Sequence, residues 1–316
     1  MQQRTMQGLD WAMLLGLALV FGSAFFFGDL GLKSFGPLSV AAGRTCSAAI
    51  ILAIVALLRG RRFPADPKTW AALLIMGAIN NAIPFSLIFW GQTRIDSGLA
   101  AILNAMTPIF TVILAHLVGD ERLTVRRFAG VVLGFAGVAV LIGPSALSHL
   151  DPTNIAELAV LGAAFCYGLA GLWGRQFRGL PVEVAAGGML IGSSALLLPA
   201  AALIEHPWTV QPSAISLGGI AALGLLSTAI AYLLYFKLLA RVGATNLLLV
   251  TFLLPIVALI LGSLFLGEHV QPIDLLGLAL IMGGLAAIDG RLVARFRASA
   301  LPAAATSGSP PDSRQS

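Results

Sequence analysis

Residues 82–110 read AIPFSLIFWGQTRIDSGLAAILNAMTPIF, and residues 229–257 read AIAYLLYFKLLARVGATNLLLVTFLLPIV. The two stretches share residues at a constant offset of 147 positions (229 − 82), and the match continues to residues 137 and 284. The identical pairs include Ala82 and Ala229, Ile83 and Ile230, Arg94 and Arg241, Pro108 and Pro255, Glu121 and Glu268, Gly130 and Gly277, and Gly137 and Gly284. Both copies are too apolar for a soluble domain, so the sequence predicts a membrane protein built from two related halves.

An earlier block of sequence repeats as well, with a slightly different spacing. Pro37 and the run Val40–Gly43 return as Pro181 and the run Val184–Gly187, 144 positions later (181 − 37). One three-residue difference in an intervening loop explains the change from 144 to 147. We therefore predict a first repeat over residues 1–148 and a second over 149–292. Residues 293–316, rich in Ala, Pro and Ser, are predicted to form a disordered cytoplasmic tail.

The composition independently indicates a membrane protein. The chain is 58% hydrophobic and 10% charged, with a mean hydropathy of +0.93, whereas soluble domains carry about a quarter charged residues. Apolar stretches of the length needed to cross a bilayer recur throughout, at residues 11–32, 37–58, 69–90, 97–118, 128–143, 154–174, 182–204, 214–236, 244–266 and 273–290. Because lipid offers no hydrogen-bond partners, each crossing should be helical. The predicted fold is all-α, with ten transmembrane helices.

The first apolar stretch could instead be a cleaved signal peptide. Its apolar run continues past Phe27, no small-residue cleavage site follows it, and it has a counterpart in the second half. We therefore interpret it as the first transmembrane helix.

The basic residues predict the orientation of the chain. A net charge of +5 could suggest nucleic acid as a partner, but the positions of the charges follow the positive-inside rule and predict no nucleic-acid partner. With the N-terminus inside, the outer connections hold only Lys33 and Arg94, and the inner side holds Arg59, Arg61, Arg62, Lys68, Arg122, Arg126, Arg127, Arg175, Arg178, Lys237, Arg241, Arg291, Arg295 and Arg297. Both termini are thus predicted to be cytoplasmic, in a cell inner membrane. Because five crossings per half is an odd number, the two halves must be inverted.

No catalytic or metal-binding pattern stands out. Cys46 and Cys166 lie inside predicted helices and are not repeat-related, and the four histidines (His116, His149, His206 and His269) have no ligand spacing. We predict no catalytic residue, no metal and no cofactor. A membrane enzyme would need an intramembrane cluster of acids or histidines, and a channel is disfavoured because kinked repeats without a ring of like charges favour alternating access. Both remain alternatives.

Short motifs near the helix ends resemble those of a known family. The turn after the fourth crossing reads Gly119-Asp120-Glu121-Arg122-Leu123-Thr124, with Gly130, Gly134 and Gly137 beyond it; the second copy has Gly267-Glu268-His269, and the first crossing has Phe21-Gly22-Ser23-Ala24-Phe25. Over roughly residues 10–290 the chain resembles the EamA-type drug/metabolite transporters. It departs from them in Phe21 in place of Trp, in the inserted Asp120 and in the second copy's lack of a base matching Arg122.

The resemblance implies a transporter that exports small metabolites, often amino acids, or drug-like compounds. It implies a central cavity that opens alternately to each side of the membrane. The expected partners are a small-molecule substrate and the lipid bilayer, and we expect a monomer.

Polar and aromatic residues within the crossings are the candidates for the cavity wall, because polar groups are costly there. We predict that the cavity is lined by Asn80, Asn81, Phe85, Asn104, Thr107, Tyr167, Tyr232 and Tyr235. Phe85 and Tyr232 are equivalent in the repeat, and Tyr235 shares a helix face with Tyr232. The alternative is that these side chains only pack or hydrogen-bond between helices. Such a wall suits a neutral or zwitterionic substrate with an apolar side chain.

Prolines and charges in the crossings lead to three further predictions. Pro108 and Pro255 should bend their helices and act as paired gating joints, unless they are mere packing kinks. Asp29 and Arg44 should form a structural ion pair, with a gate or a carboxylate-binding arginine as the alternative. Glu121 and Glu268 should cap the N-terminus of the helix that follows each of them.

Overall fold

The computed structural model describes residues 6–119, 124–143, 151–177, 179–247 and 249–289. These residues form helices and connecting turns without a β-strand, which confirms the predicted all-α fold. Nine helical segments of the described residues are long and apolar enough to cross a membrane, and the apolar helix Val250–Leu266 is shorter. Together they account for the ten predicted crossings. The predicted tail and the 148/149 boundary lie outside the described residues.

The first half contains five passes. The helices are α1 (Gly8–Leu32), α2 (Pro37–Leu58), α3 (Pro67–Gly77), α4 (Ile83–Gln92), α5 (Ser97–Asn104), α6 (Thr107–Leu117) and α7 (Val125–Ile142). A π-helical turn, Ala78–Ala82, joins α3 to α4 within the third pass. A two-residue break separates α5 from α6 within the fourth pass.

The second half repeats this plan. Its helices are α8 (Pro152–Trp173), α9 (Val182–Ile204), α10 (Ala214–Gly224), α11 (Ala231–Leu247), α12 (Val250–Leu261) and α13 (Pro272–Asp289). A π-helical turn, Leu225–Ile230, joins α10 to α11 within the eighth pass. That pass ends at Gly243, whose φ of 78° interrupts α11. The ninth pass is α12, which continues through a π turn, Gly262–Leu266.

Helix packing follows the pseudo-symmetry of the repeat. The second pass packs on the seventh (α2 on α9), and the fifth packs on the tenth (α7 on α13). The contact of α4 with α8 has its counterpart in that of α11 with α1, and the contact of α6 with α8 in that of α12 with α1. Each contact maps onto another when five is added to both pass numbers, as two inverted halves require. Because ten passes are an even number, the start of α1 and the end of α13 lie at the same side of the bundle, here named the terminal end. The other side is named the opposite end.

The two prolines do not occupy equivalent positions in their helices. Pro108 lies in the first turn of α6, directly after the break at Ala105 and Met106, where a missing amide proton costs little. Pro255 lies inside α12, where it removes an intrahelical hydrogen bond. The prolines repeat in the sequence, but the backbone around them differs between the halves. A role for them in gating stays a proposal.

Glycines bring the fifth and tenth passes into backbone contact. A Cβ at Gly130 would lie 2.6 Å from the carbonyl oxygen of Gly284, and a Cβ at Gly137 would lie 2.9 Å from that of Gly277. Because Gly130 is the repeat partner of Gly277 and Gly137 that of Gly284, the two contacts are exchanged by the pseudo-symmetry. Only small residues permit such close helix contact.

Replacing Gly284 with Ala should therefore destabilise the protein. The added Cβ would lie 2.5 Å from the carbonyl oxygen of Gly130 and 2.9 Å from the amide nitrogen of Gly134, so backbone must move. We expect a loss on the order of 2 kcal/mol, measured as thermal unfolding in detergent. Gly218→Ala is the matched control, since nothing lies within 4 Å of its Cβ. Equal unfolding temperatures for the two variants would contradict the close contact.

Candidate substrate cavity

A cavity of about 720 Å³ lies between the two halves. Residues from the first to fourth and the sixth to ninth passes line it, and the fifth and tenth passes contribute none of its lining. Most of the wall is apolar or aromatic. The polar and tyrosine side chains of the lining are Arg44, Asn80, Asn104, Thr107, Tyr167, Ser227, Thr228, Tyr232, Tyr235 and Thr251.

The cavity extends to one end of the bundle. Its lining continues to Phe177, Leu180 and Val182, at the terminal end of the sixth and seventh passes. Toward the opposite end it stops at the level of Phe25 and Phe89, one or two turns before their helices end. The cavity is therefore accessible from the terminal end and closed at the opposite end.

Two side chains from different passes hold the closed end together. Gln92 is buried, and its Nε2 donates a hydrogen bond of 2.8 Å to the backbone oxygen of Phe25. Glu268 accepts hydrogen bonds from the backbone amides of Ser97 at 2.7 Å and Gly98 at 3.1 Å, at the start of α5. These amides have no partner within their own helix and favour a negative charge.

Glu268 does cap a helix, but not the one predicted. The predicted target was the helix that follows it in the chain, α13, whereas the structure places its carboxylate on α5 of the other half. A turn between antiparallel helices can point its side chain outward to a neighbour as easily as along its own chain. Glu121, the repeat partner, lies outside the described residues.

The π turns of the third and eighth passes lie at equivalent positions of the repeat and carry polar pairs. Asn80 and Asn81 lie in the first turn, and Ser227 and Thr228, 147 positions later, lie in the second. A π turn inserts a residue into the helix, and such turns often occur at functional sites. Asn80 Nδ2 donates to the Tyr232 hydroxyl at 3.2 Å, which links the first turn to α11, just beyond the second turn.

Arg44 lies deep in the cavity, on the second pass. Its side chain projects from α2 seven residues after Pro37, about 10 Å along the helix from the opposite end, and the residue is 8% exposed. Its Nε donates to the hydroxyl of Thr228 at 2.9 Å. Its guanidinium carbon lies 3.7 Å from the centre of the Phe85 ring, in a cation–π contact.

Seven of the eight predicted wall residues line this cavity. They are Asn80, Phe85, Asn104, Thr107, Tyr167, Tyr232 and Tyr235. Asn81 does not: it is fully buried, and its Oδ1 accepts a hydrogen bond of 3.4 Å from the Tyr232 hydroxyl. Asn81 lies about 100° around the helix from Asn80, and at this position the rotation takes its side chain out of the cavity lining.

The predicted ion pair of Asp29 with Arg44 is wrong for the described structure. Arg44 contacts a hydroxyl and an aromatic ring in the cavity. Asp29 lies with Asp96 and Glu268 around a smaller pocket of about 290 Å³ at the opposite end. Burial raises the pKa of Asp96 above its usual range, and the carboxylate of Glu268 adds to that rise. Sequence distance from a helix end does not tell which face a side chain occupies.

Sequence reasoning missed Ser227 and Thr228. The signal was available, because they stand 147 positions after Asn80 and Asn81. It also missed Glu205, whose carboxylate accepts hydrogen bonds from the backbone amides of Leu38 and Ser39 at the start of α2. No sequence pattern connects Glu205 to that helix.

Two inverted helical halves around a shared cavity define the class of two-repeat membrane transporters. The chain belongs to the EamA-like transporter family, whose family model matches residues 10–143 and again residues 154–288. It is therefore a multi-pass membrane protein with a transport role for small metabolites.

Similar proteins from bacteria support this assignment. The chain is 29% identical over 294 residues to a probable terminal-alkyne amino-acid exporter of Streptantibioticus cattleyicolor, covering 92% of this chain and 97% of that one. It is 28% identical to protein PecM of Dickeya dadantii (84% and 87% covered). It is 26% identical to the uncharacterized inner membrane transporter YedA of Escherichia coli K12 (85% and 87% covered). One solved crystal structure shares the fold, with a TM-score of 0.65 at 20% identity, covering 92% of this chain and 99% of that chain.

Removing the charge of Glu268 should loosen the closed end. In Glu268→Gln the contact with the amides of Ser97 and Gly98 loses its negative charge. The probe is a cysteine introduced at position 88 in a variant that lacks Cys46 and Cys166. We expect this cysteine to react several-fold faster with an impermeant thiol reagent that is applied at the opposite end. Asp274→Asn is the control, since that carboxylate accepts from the nearby amide of Gln271. Unchanged reactivity in Glu268→Gln, or an equal rise in the control, argues against the capping role.

Proposed function

We propose that this protein exports amino acids with apolar or aromatic side chains across the inner membrane, by alternating access around the central cavity. The observation that carries the proposal is the cavity itself, formed by both halves and continuous with one end only. Its volume of about 720 Å³ lies within the range of small-molecule sites. The similarity to a probable amino-acid exporter supports the substrate class.

The orientation supports export. Basic side chains cluster at the terminal end, where Arg59 and Arg241 also form ion pairs with Glu183 and Asp10 across the halves. By the positive-inside rule this end faces the cytoplasm, so the open cavity takes up its substrate there. Both termini are then cytoplasmic.

Inverted halves provide a route to the outward-open state. Because the halves are related by pseudo-symmetry, a rocking motion can exchange which end is closed at similar energy. In that motion the contacts of Gln92 and Glu268 at the opposite end break. The irregular backbone of the two π turns and of the fourth pass is where the passes can bend.

A multidrug or toxic-compound exporter of the same fold is the second candidate. The predominantly apolar and aromatic wall favours it, because such a surface accepts varied apolar compounds. Saturable, competitive uptake of amino acids into vesicles supports the first candidate. Uptake of unrelated cationic dyes without competition by amino acids supports the second, and flux at channel rates contradicts both.

Tyr232→Phe should weaken transport of a radiolabelled amino acid in reconstituted vesicles. The change removes the hydroxyl through which Tyr232 hydrogen-bonds to Asn80 and Asn81 on the third pass. We therefore expect KM to rise several-fold. Tyr235→Phe is the matched control: it lines the same cavity on the same helix, and its hydroxyl takes no part in that network. Similar KM values for both variants would contradict a role for the network in the site.

Transport should proceed without obligatory proton coupling. No Asp or Glu lines the cavity in the part of the chain that the structure describes, and Asp29 lies at the separate pocket near the opposite end. Counterflow in vesicles should therefore persist without a pH gradient. A substrate-induced proton flux that Asp29→Asn abolishes would overturn this expectation.

A further inference from the structure

We propose that Arg44 binds the carboxylate of the transported molecule, so that the substrates are monocarboxylates with an apolar remainder. This inference rests on the proposed transport function and deepens it. It assigns to one residue the recognition of one chemical group.

Arg44 is a buried cation without an acidic partner among the described residues. Its side chain donates a hydrogen bond to the Thr228 hydroxyl and makes a cation–π contact with the Phe85 ring. Neither neutralises its charge, and an unpaired charge in a low-dielectric interior is costly. Such a cost is maintained where the missing counter-charge arrives with a ligand.

The guanidinium is held in a fixed orientation. Thr228 accepts from Arg44 Nε and donates its own proton to the backbone oxygen of Leu223 at 2.8 Å, a bond across the π turn. The Phe85 ring lies against the guanidinium plane. The two terminal nitrogens make no hydrogen bond to the described residues and belong to a side chain that lines the cavity. A guanidinium with free terminal nitrogens is well suited to a carboxylate.

The position equivalent to Arg44 in the second half carries no charge. The repeated block that ends at Gly43 ends at Gly187 in the second half, so Arg44 corresponds to Gly188. A Cβ at Gly188 would lie 2.7 Å from Cδ1 of Leu73, so that position serves close packing. A cation required for helix packing would be expected in both copies, whereas a ligand with one charged group needs only one.

The rest of the cavity limits the ligand to a single negative charge. No second Lys or Arg of the described residues lines it, and the aromatic residues Phe21, Phe25 and Phe89 line it together with Met189 and Leu254. A phosphate dianion would leave one charge unbalanced, and a cation would be repelled by Arg44. A monocarboxylate with an apolar chain neutralises the charge of Arg44, and its apolar part can pack against the apolar lining.

The unmodified protein provides the first test. L-phenylalanine and 3-phenylpropionate carry the carboxylate, whereas L-phenylalaninamide and phenylethylamine lack it. We expect the two acids to raise the unfolding temperature of the full chain in detergent and to compete for uptake into vesicles, with apparent affinities at least about tenfold above those of the amide and amine, as expected when an unpaired charge is left buried. Equal affinities for acid and amide would overturn the inference.

Substitutions provide the second test. Arg44→Met should lower the affinity for the acids at least about tenfold and leave that for the amide nearly unchanged, while Arg44→Lys should retain part of the preference. Arg94→Met is the control, because Arg94 also stacks on a ring, that of Trp90, but lies outside the cavity. Retention of the acid preference in Arg44→Met would contradict the inference. If both Arg44 variants fail to fold, the acid-to-amide comparison decides alone.

The two proposals fail in different ways. Saturable uptake at equal affinity for acids and amides would support the transport function and contradict the role of Arg44 in recognition. Acid-selective thermal shifts without any uptake leave the carboxylate site standing and remove the proposed export.

Discussion

Lipid cannot hydrogen-bond to the backbone, and this constraint governs where the chain can be irregular. Most of each pass is regular helix. Three exceptions adjoin the cavity, namely the π turns of the third and eighth passes and the break before α6. The π turn of the ninth pass, Gly262–Leu266, lies outside its lining. Free helix ends are likewise covered by carboxylates, of Glu205 on α2 and Glu268 on α5. Side chains at these irregular positions, among them Asn80, Thr107 and Thr228, supply polar groups to the cavity wall.

Much of the fold could be predicted from sequence, because the repeat and the hydropathy depend only on which residue types occur along the chain. The offset of 147 fixed which helices correspond, and the apolar runs fixed their number. The pairing of side chains was harder, because it depends on how helices rotate about their axes. Asp29 and Arg44 lie near the same ends of adjacent passes, yet one lies at the opposite-end pocket and the other lines the cavity. Glu268 reaches a helix in the other half for the same reason.

The parts of the structure that follow the repeat differ in role from the parts that depart from it. The contacts of the fifth and tenth passes and the two π turns obey the repeat, and they set the architecture. The site departs from it: Asn80 and Asn81 correspond to Ser227 and Thr228, Phe85 corresponds to Tyr232, and Arg44 corresponds to a glycine. A motion that exchanges the two ends needs the symmetric part, whereas a ligand without internal symmetry needs the asymmetric part.

The glycine seam between α7 and α13 has a consequence for how such proteins diversify. None of its residues lines the cavity, so changes in the cavity wall leave the seam untouched. In duplicated genes, single substitutions in the cavity wall can thus change which compound is transported. The packing of the two halves at the seam is then unchanged. Selection can therefore act on the two regions separately, and a single scaffold can serve many compounds.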